Sequence, residues 1–152
     1  MKNRGIKAFV LLLFFVYMAA LLYFLFFSER YGRTLQRDYT YNLVPFSEIK
    51  RFITNYKILG FEGFAVNMIG NVVAFIPFGM LLPVVIGNSR NSALIILDGF
   101  VVSVCIEFIQ LFTKVGAFDV DDIILNTTGV IIGYIIYRCL RRAYKKRGRK
   151  KR

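Results

Sequence analysis

Long apolar runs separated by short polar stretches dominate the chain. Four runs reach the ~20 helical residues needed to cross a bilayer core of about 30 Å. They lie at residues 6–27, 64–86, 93–112 and 123–140. Between the first two, apolar residues fall at Phe46, Ile49, Phe52, Ile53 and Tyr56, with Lys50, Arg51 and Lys57 on other faces. That is helical spacing and predicts an amphipathic helix lying in the membrane interface, with Ser47 as its cap. Pro45 and the Tyr-rich residues around it predict an extended stretch before that helix. Gly60 and Gly63 break the chain ahead of the second run.

Punctuation inside the runs adds detail. Pro77 removes a backbone donor and kinks the second span; Gly79 follows it, and Pro83 predicts a second bend. Residues 87–91 form a tight turn, so the second and third spans are antiparallel neighbours. Gly129 and Gly133 make a small-xxx-small face on the fourth span that permits close helix approach. The same face also suits a homodimer packed through Gly129 and Gly133.

The pattern predicts an all-α integral membrane protein with four transmembrane helices in a single domain, residues 1–152. At 57% apolar residues the chain is too hydrophobic for an ordinary soluble domain. The basic start, Lys2, Arg4 and Lys7, suits a signal peptide. The apolar stretch that follows is longer than a signal core and has no small-x-small cleavage site, so an uncleaved first span is expected.

Charge sets the orientation. Ten of the 21 basic residues lie at 138–152, three precede the first span, and Arg90 is in the second loop, which makes 14. The first loop carries six and the third only Lys114, which makes 7. The asymmetry predicts that both termini and the second loop are cytoplasmic. The basic tail, residues 141–152, is expected to hold anionic lipid, at about 1 kcal/mol per residue near the surface. Nucleic acid is not an expected partner.

With no histidine and two cysteines at different depths, Cys105 and Cys139, the chain excludes serine–histidine and cysteine–histidine catalysis and Cys/His metal sites, and a disulfide is not expected.

Against this background the polar residues stand out. Asn67 and Asn71 are i, i+4 on the second span, Glu107 and Gln110 are i, i+3 on the third, and Asp122 and Asn126 are i, i+4 on the fourth, just after Asp119. An ionised side chain at the centre of a membrane helix costs about 2.5–3.5 kcal/mol on insertion scales. The predicted orientation brings all seven residues to one outer-leaflet depth, as candidates for lining a pocket. Interhelical hydrogen bonding alone is the competing reading for Asn71 and Asn126. A solvated loop charge is expected for Asp121.

At these residues the chain resembles the VanZ-like membrane family. The resemblance rests on Asn42-Leu-Val-Pro45-Phe46, Asn67-x3-Asn71-x3-Phe75-Ile-Pro77-Phe-Gly79, Glu107-Phe-Ile-Gln110 and Phe118-Asp119-Val-Asp-Asp122-x3-Asn126-x2-Gly129-x3-Gly133, over roughly residues 40–137. Gly116-Ala117 stands where the family pattern carries an arginine. The resemblance implies a small bacterial multi-pass membrane protein associated with resistance to teicoplanin-type glycopeptides.

Three readings of the pocket follow. Amides and carboxylates suit amine, hydroxyl and peptide N–H donors, so a module binding or altering a cell-surface or lipid-linked component, such as a cell-wall precursor or a glycopeptide, is the leading one. Glu107, Asp119 and Asp122 are hard oxygen donors suited to Mg²⁺ or Ca²⁺, which makes a metal-dependent enzyme acting on a lipid-linked phosphate the alternative. The third is a small cation or proton transporter. No nucleophile or fixed general base is evident, so catalytic status stays open.

Overall fold

Two short loop segments pair where the four long helices end. A computed structural model describes residues 4–27, 38–87 and 91–150. The exit segment 28–37 and the basic residues Lys2, Arg30, Arg33, Arg37, Arg90, Lys151 and Arg152 of the charge count lie outside the described residues. The order is α1 (Arg4–Phe27), β1 (Tyr41–Asn42), α2 (Ser47–Thr54), α3 (Tyr56–Phe64), a π-helical turn (Ala65–Ile69), α4 (Gly70–Val85), α5 (Ser92–Thr113), β2 (Phe118–Asp119) and α6 (Val120–Lys150). β1 and β2 pair in parallel, Tyr41 with Phe118 and Asn42 with Asp119. This end of the bundle is called the paired-loop end below.

Among the described residues, four helices are long and apolar enough to cross a membrane: Gly5–Phe27, Gly60–Val85, Ser92–Thr113 and Val120–Arg147. The second span thus starts earlier than hydropathy places it. Gly60 does break the chain, with φ at 72°, but Gly63 lies inside the helix that follows. The fourth span continues without a break through the basic tail to Lys150. At 1.5 Å per residue its 31 residues extend about 46 Å, well beyond a bilayer core. Lys and Arg are good helix formers, so the loss of apolarity at residue 141 does not end the helix.

The core lies among the four spans. Phe75, Phe78 and Leu82 of α4, Ile95 and Ile106 of α5, Val130, Tyr134 and Tyr137 of α6, and Leu21 and Leu25 of α1 are buried together. The outward apolar side chains, such as Phe9, Leu12 and Phe15 on α1 and Leu97, Phe100 and Val101 on α5, have the bilayer as their solvent. Lipid tails are as apolar as leucine, so what joins the helices is close packing and hydrogen bonding rather than hydrophobic burial.

Glycine makes that packing close. A Cβ on Gly129 would overlap the Val72 carbonyl oxygen, one on Gly133 the Ile76 carbonyl oxygen, and one on Gly79 the Val130 carbonyl oxygen. The backbones of α4 and α6 therefore touch. The Gly129–Gly133 face packs against α4 within one copy of the chain.

The Pro77 kink is tied to the first span. Proline at 77 leaves the Val73 carbonyl, four residues back, without its helical donor, and Tyr17 Oη of α1 donates to the next carbonyl, that of Ala74, at 2.7 Å. The contact ties α1 to the kinked turn.

Candidate functional site

The paired-loop end is held by three carboxylates of one short segment. Asp119 Oδ1 accepts the Asp121 N–H at 2.8 Å, as an N-cap does, and so starts α6. The same oxygen accepts from Asn42 Nδ2 at 3.1 Å. Asn42 Oδ1 in turn accepts the Val44 N–H at 3.2 Å and the Ser47 hydroxyl at 2.9 Å. Asn42 thereby joins the loop after α1 to the loop after α5.

Asp121 is the unexpected member. Its side chain is 1% exposed. The carboxylate accepts the N–H of Phe46, of Glu48 at 2.8 Å and of Ile49 at 3.1 Å. These are backbone donors at the start of α2, which have no partner within the helix. Ser47, expected to cap α2, gives its hydroxyl to Asn42 instead, and a residue more than seventy positions away does the capping. Phe46, just before the helix, has φ 66°. A left-handed conformation costs a bulky residue roughly 1–2 kcal/mol, and the Asp121 bond holds it there.

Below this layer, each candidate residue makes a contact between helices or within one. Glu107 of α5 is 1% exposed, and its Oε2 accepts the Asp119 N–H at 2.9 Å. Asn71 of α4 donates to Asp122 Oδ1 of α6 at 2.6 Å and to the Asn67 carbonyl at 3.1 Å. Asn67, in the π-helical turn, donates to the Gly63 carbonyl at 2.9 Å. Asn126 of α6 donates to Ser103 Oγ of α5 at 2.9 Å. Gln110 of α5 donates to the Leu25 carbonyl at 3.0 Å, a last-turn carbonyl of α1. All four spans are thus joined by polar side chains, from the middle of α5 to the paired-loop end. Ser103, Asp121 and Tyr17 complete the arrangement, although hydropathy and spacing single out none of them.

Two oxygens in this region remain unmatched. Gln110 Oε1 and Asn126 Oδ1 are buried and accept no hydrogen bond from the protein, as is also true of Thr127 Oγ1. A buried acceptor without a donor costs about 1–3 kcal/mol.

Burial shapes the electrostatics of the outer layer. It raises the Asp119 carboxyl above its ordinary value, against the opposing hydrogen bonds from Asp121 N–H and Asn42. Glu48 is raised as well, again by burial first, with the Arg51 guanidinium 2.7 Å away working against the shift.

The cavity and the polar residues coincide only in part. A cavity of about 310 Å³ lies between α1 and α4, and of the seven pocket candidates only Asn71 lines it. The three acids named as possible ligands each receive an N–H: Glu107 from Asp119, Asp119 from Asn42, and Asp122 from Asn71. Among the described residues no group of three or more His, Cys, Asp and Glu side chains is placed to hold a metal ion.

The sequence profile of the VanZ/LLP1 family matches residues 14–141. The chain is 31% identical over 140 residues to Protein VanZ of Enterococcus faecium, which covers 89% of this chain and 73% of that protein. No solved structure matches it.

Proposed function

Because the chain belongs to the VanZ/LLP1 family, and is a multi-pass protein of the bacterial cytoplasmic membrane, we propose that its paired-loop end faces outward and recognises the polar head of a cell-surface or lipid-linked component. Through that recognition it contributes to resistance against teicoplanin-type glycopeptides. The basic helical extension of α6 lies on the cytoplasmic side, as the distribution of Lys and Arg favours, and rests against anionic lipid.

The observation that carries this reading is the pair of buried, unmatched acceptors, Gln110 Oε1 and Asn126 Oδ1, at the end where Glu107, Asp119 and Asp122 are gathered. A structural network satisfies its own members. This one retains acceptor capacity, which suits a ligand rich in amine, hydroxyl or amide N–H donors.

The test is expression in a sensitive Gram-positive host, with teicoplanin and vancomycin susceptibility compared with a vector control. Protection against teicoplanin is expected. Unchanged susceptibility at a verified membrane level overturns the resistance role. Orientation is read separately, by introducing Tyr39→Cys or Arg147→Cys into a Cys105→Ser/Cys139→Ser background. An impermeant maleimide should label the first in intact cells and the second only after permeabilisation.

A further inference from the structure

The cavity between α1 and α4 has a definite shape. It exists because Ala20, Gly70 and Ala74 are small, and it runs alongside α1 from Tyr17 to Leu25, about 12 Å of helix. At about 310 Å³ it lies at the lower end of small-molecule sites. Such a space admits one slender chain and not the two chains of a phospholipid.

Its surroundings say what kind of chain. Phe24 and Val73 line the cavity and are half exposed on the outside of the bundle. In the membrane that outside is hydrocarbon, so the cavity opens sideways into lipid. One part of it is polar. Asn71 lines the cavity and also donates to Asp122 Oδ1. A molecule whose chain fills the cavity therefore brings its head to the polar network. No Lys or Arg lines the cavity, and the nearest charged group across Asn71 is a carboxylate. A head bearing hydrogen-bond donors matches this end, whereas a phosphate placed there meets like charge.

We propose that the cavity between α1 and α4 holds the single hydrocarbon chain of a membrane amphiphile whose donor-bearing head meets Asn71 and Asp122. This rests on the reading that the polar network recognises a head group, and it names the class of molecule that carries the head. Chain and head then contribute to affinity together, and the outer half of the first span becomes part of the site.

The test is photolabelling of the full chain in phosphatidylcholine nanodiscs. Two probes carry a diazirine midway along a chain: a single-chain N-acyl dipeptide amide with a free amine, and a phosphatidylcholine. Label is counted on peptides covering residues 17–25 and 70–77, with residues 97–101 on the opposite lipid-facing surface as reference. The single-chain probe is expected to favour the cavity peptides by about tenfold, a preference of about 1.4 kcal/mol. Ala20→Phe, which fills the cavity from the exposed side of α1, should remove that preference. Ala20→Leu serves if the larger side chain lowers expression. The phosphatidylcholine probe should label all lipid-facing surfaces alike. Even labelling by the single-chain probe overturns the proposal, as does equal enrichment of the phosphatidylcholine probe. If labelling is even but a Glu107→Gln/Asp122→Asn variant loses protection against teicoplanin, the cavity assignment fails alone. If labelling is even and that variant protects fully, the head-group reading fails with it.

Discussion

Asp121 and Phe46 are hydrogen-bonded across 75 residues of chain, and that bond sets how the loop after α1 sits on the bundle. The buried carboxylate of one loop is the helix cap of another. The Pro45-Phe46 turn, the helix α2 and the start of α6 consequently behave as one unit.

Replacing Asp121 by alanine removes all three acceptor contacts to α2 and leaves its first N–H groups without a partner. Losing a cap costs about 0.5–2 kcal/mol, and hydrogen bonds to a charged acceptor run higher, at about 1.5–3 kcal/mol each. A loss of about 2–3 kcal/mol is expected in thermal or denaturant unfolding of the detergent-solubilised protein. Asp121→Asn, which keeps one acceptor oxygen, should lose less. A loss below about 0.5 kcal/mol in the alanine variant, the size of an ordinary surface substitution, contradicts the capping role.

The two kinds of glycine contact predict different rescue behaviour. At Gly99 the obstruction is the Val130 side chain, whereas at Gly133 it is the Ile76 carbonyl oxygen. Overpacking costs typically about 1–3 kcal/mol. Gly99→Ala should be destabilising alone and largely rescued by Val130→Ala in the same chain. Gly133→Ala meets backbone and should not be rescued by trimming Ile76. Equal rescue at both positions argues against direct backbone contact between α4 and α6.

Acid response isolates Asp119. Its carboxyl is held above 3.8 by burial, so the folded protein binds this proton more tightly than the unfolded chain. The favourable contribution is full below the unfolded value and is lost as pH rises through the raised folded value. Stability should therefore decline from that ordinary carboxylate value toward neutral pH. Glu48 has the same sign, because burial raises it too. Asp119→Asn keeps an acceptor for Asn42 and the Asp121 N–H and should flatten the decline without abolishing it. An unchanged slope in the melting temperature against pH removes Asp119 from this role.

The four spans were legible because a run of about twenty apolar residues has few other uses. The gathering of Asn71, Glu107, Asp119 and Asp122 at one end was legible from spacing and chain direction. Asp121 looks like a solvated charge in the sequence because its partners are 72 to 75 positions upstream and leave no local pattern. Gly129 and Gly133 were recognised as a packing face, but a spacing of four says that something approaches closely, not whether it is α4 or a second copy. The cavity between α1 and α4 was not legible at all, since it depends on how the small residues of two distant segments register against each other.

In the proposed function, the buried acidic network at the paired-loop end recognises a ligand as well as joining four helices. Glu107→Gln with Asp122→Asn separates the two roles. It exchanges both carboxyl groups for amides while leaving an oxygen to accept the Asp119 N–H and the Asn71 amide. The decisive measurement is teicoplanin susceptibility of a sensitive Gram-positive host carrying this double variant or the unaltered chain, at equal membrane levels and with vancomycin in parallel. The unaltered chain is expected to protect against teicoplanin, and the variant, still folded, is expected not to. Full protection by the variant would contradict the proposed function and leave Glu107 and Asp122 as structural ties alone.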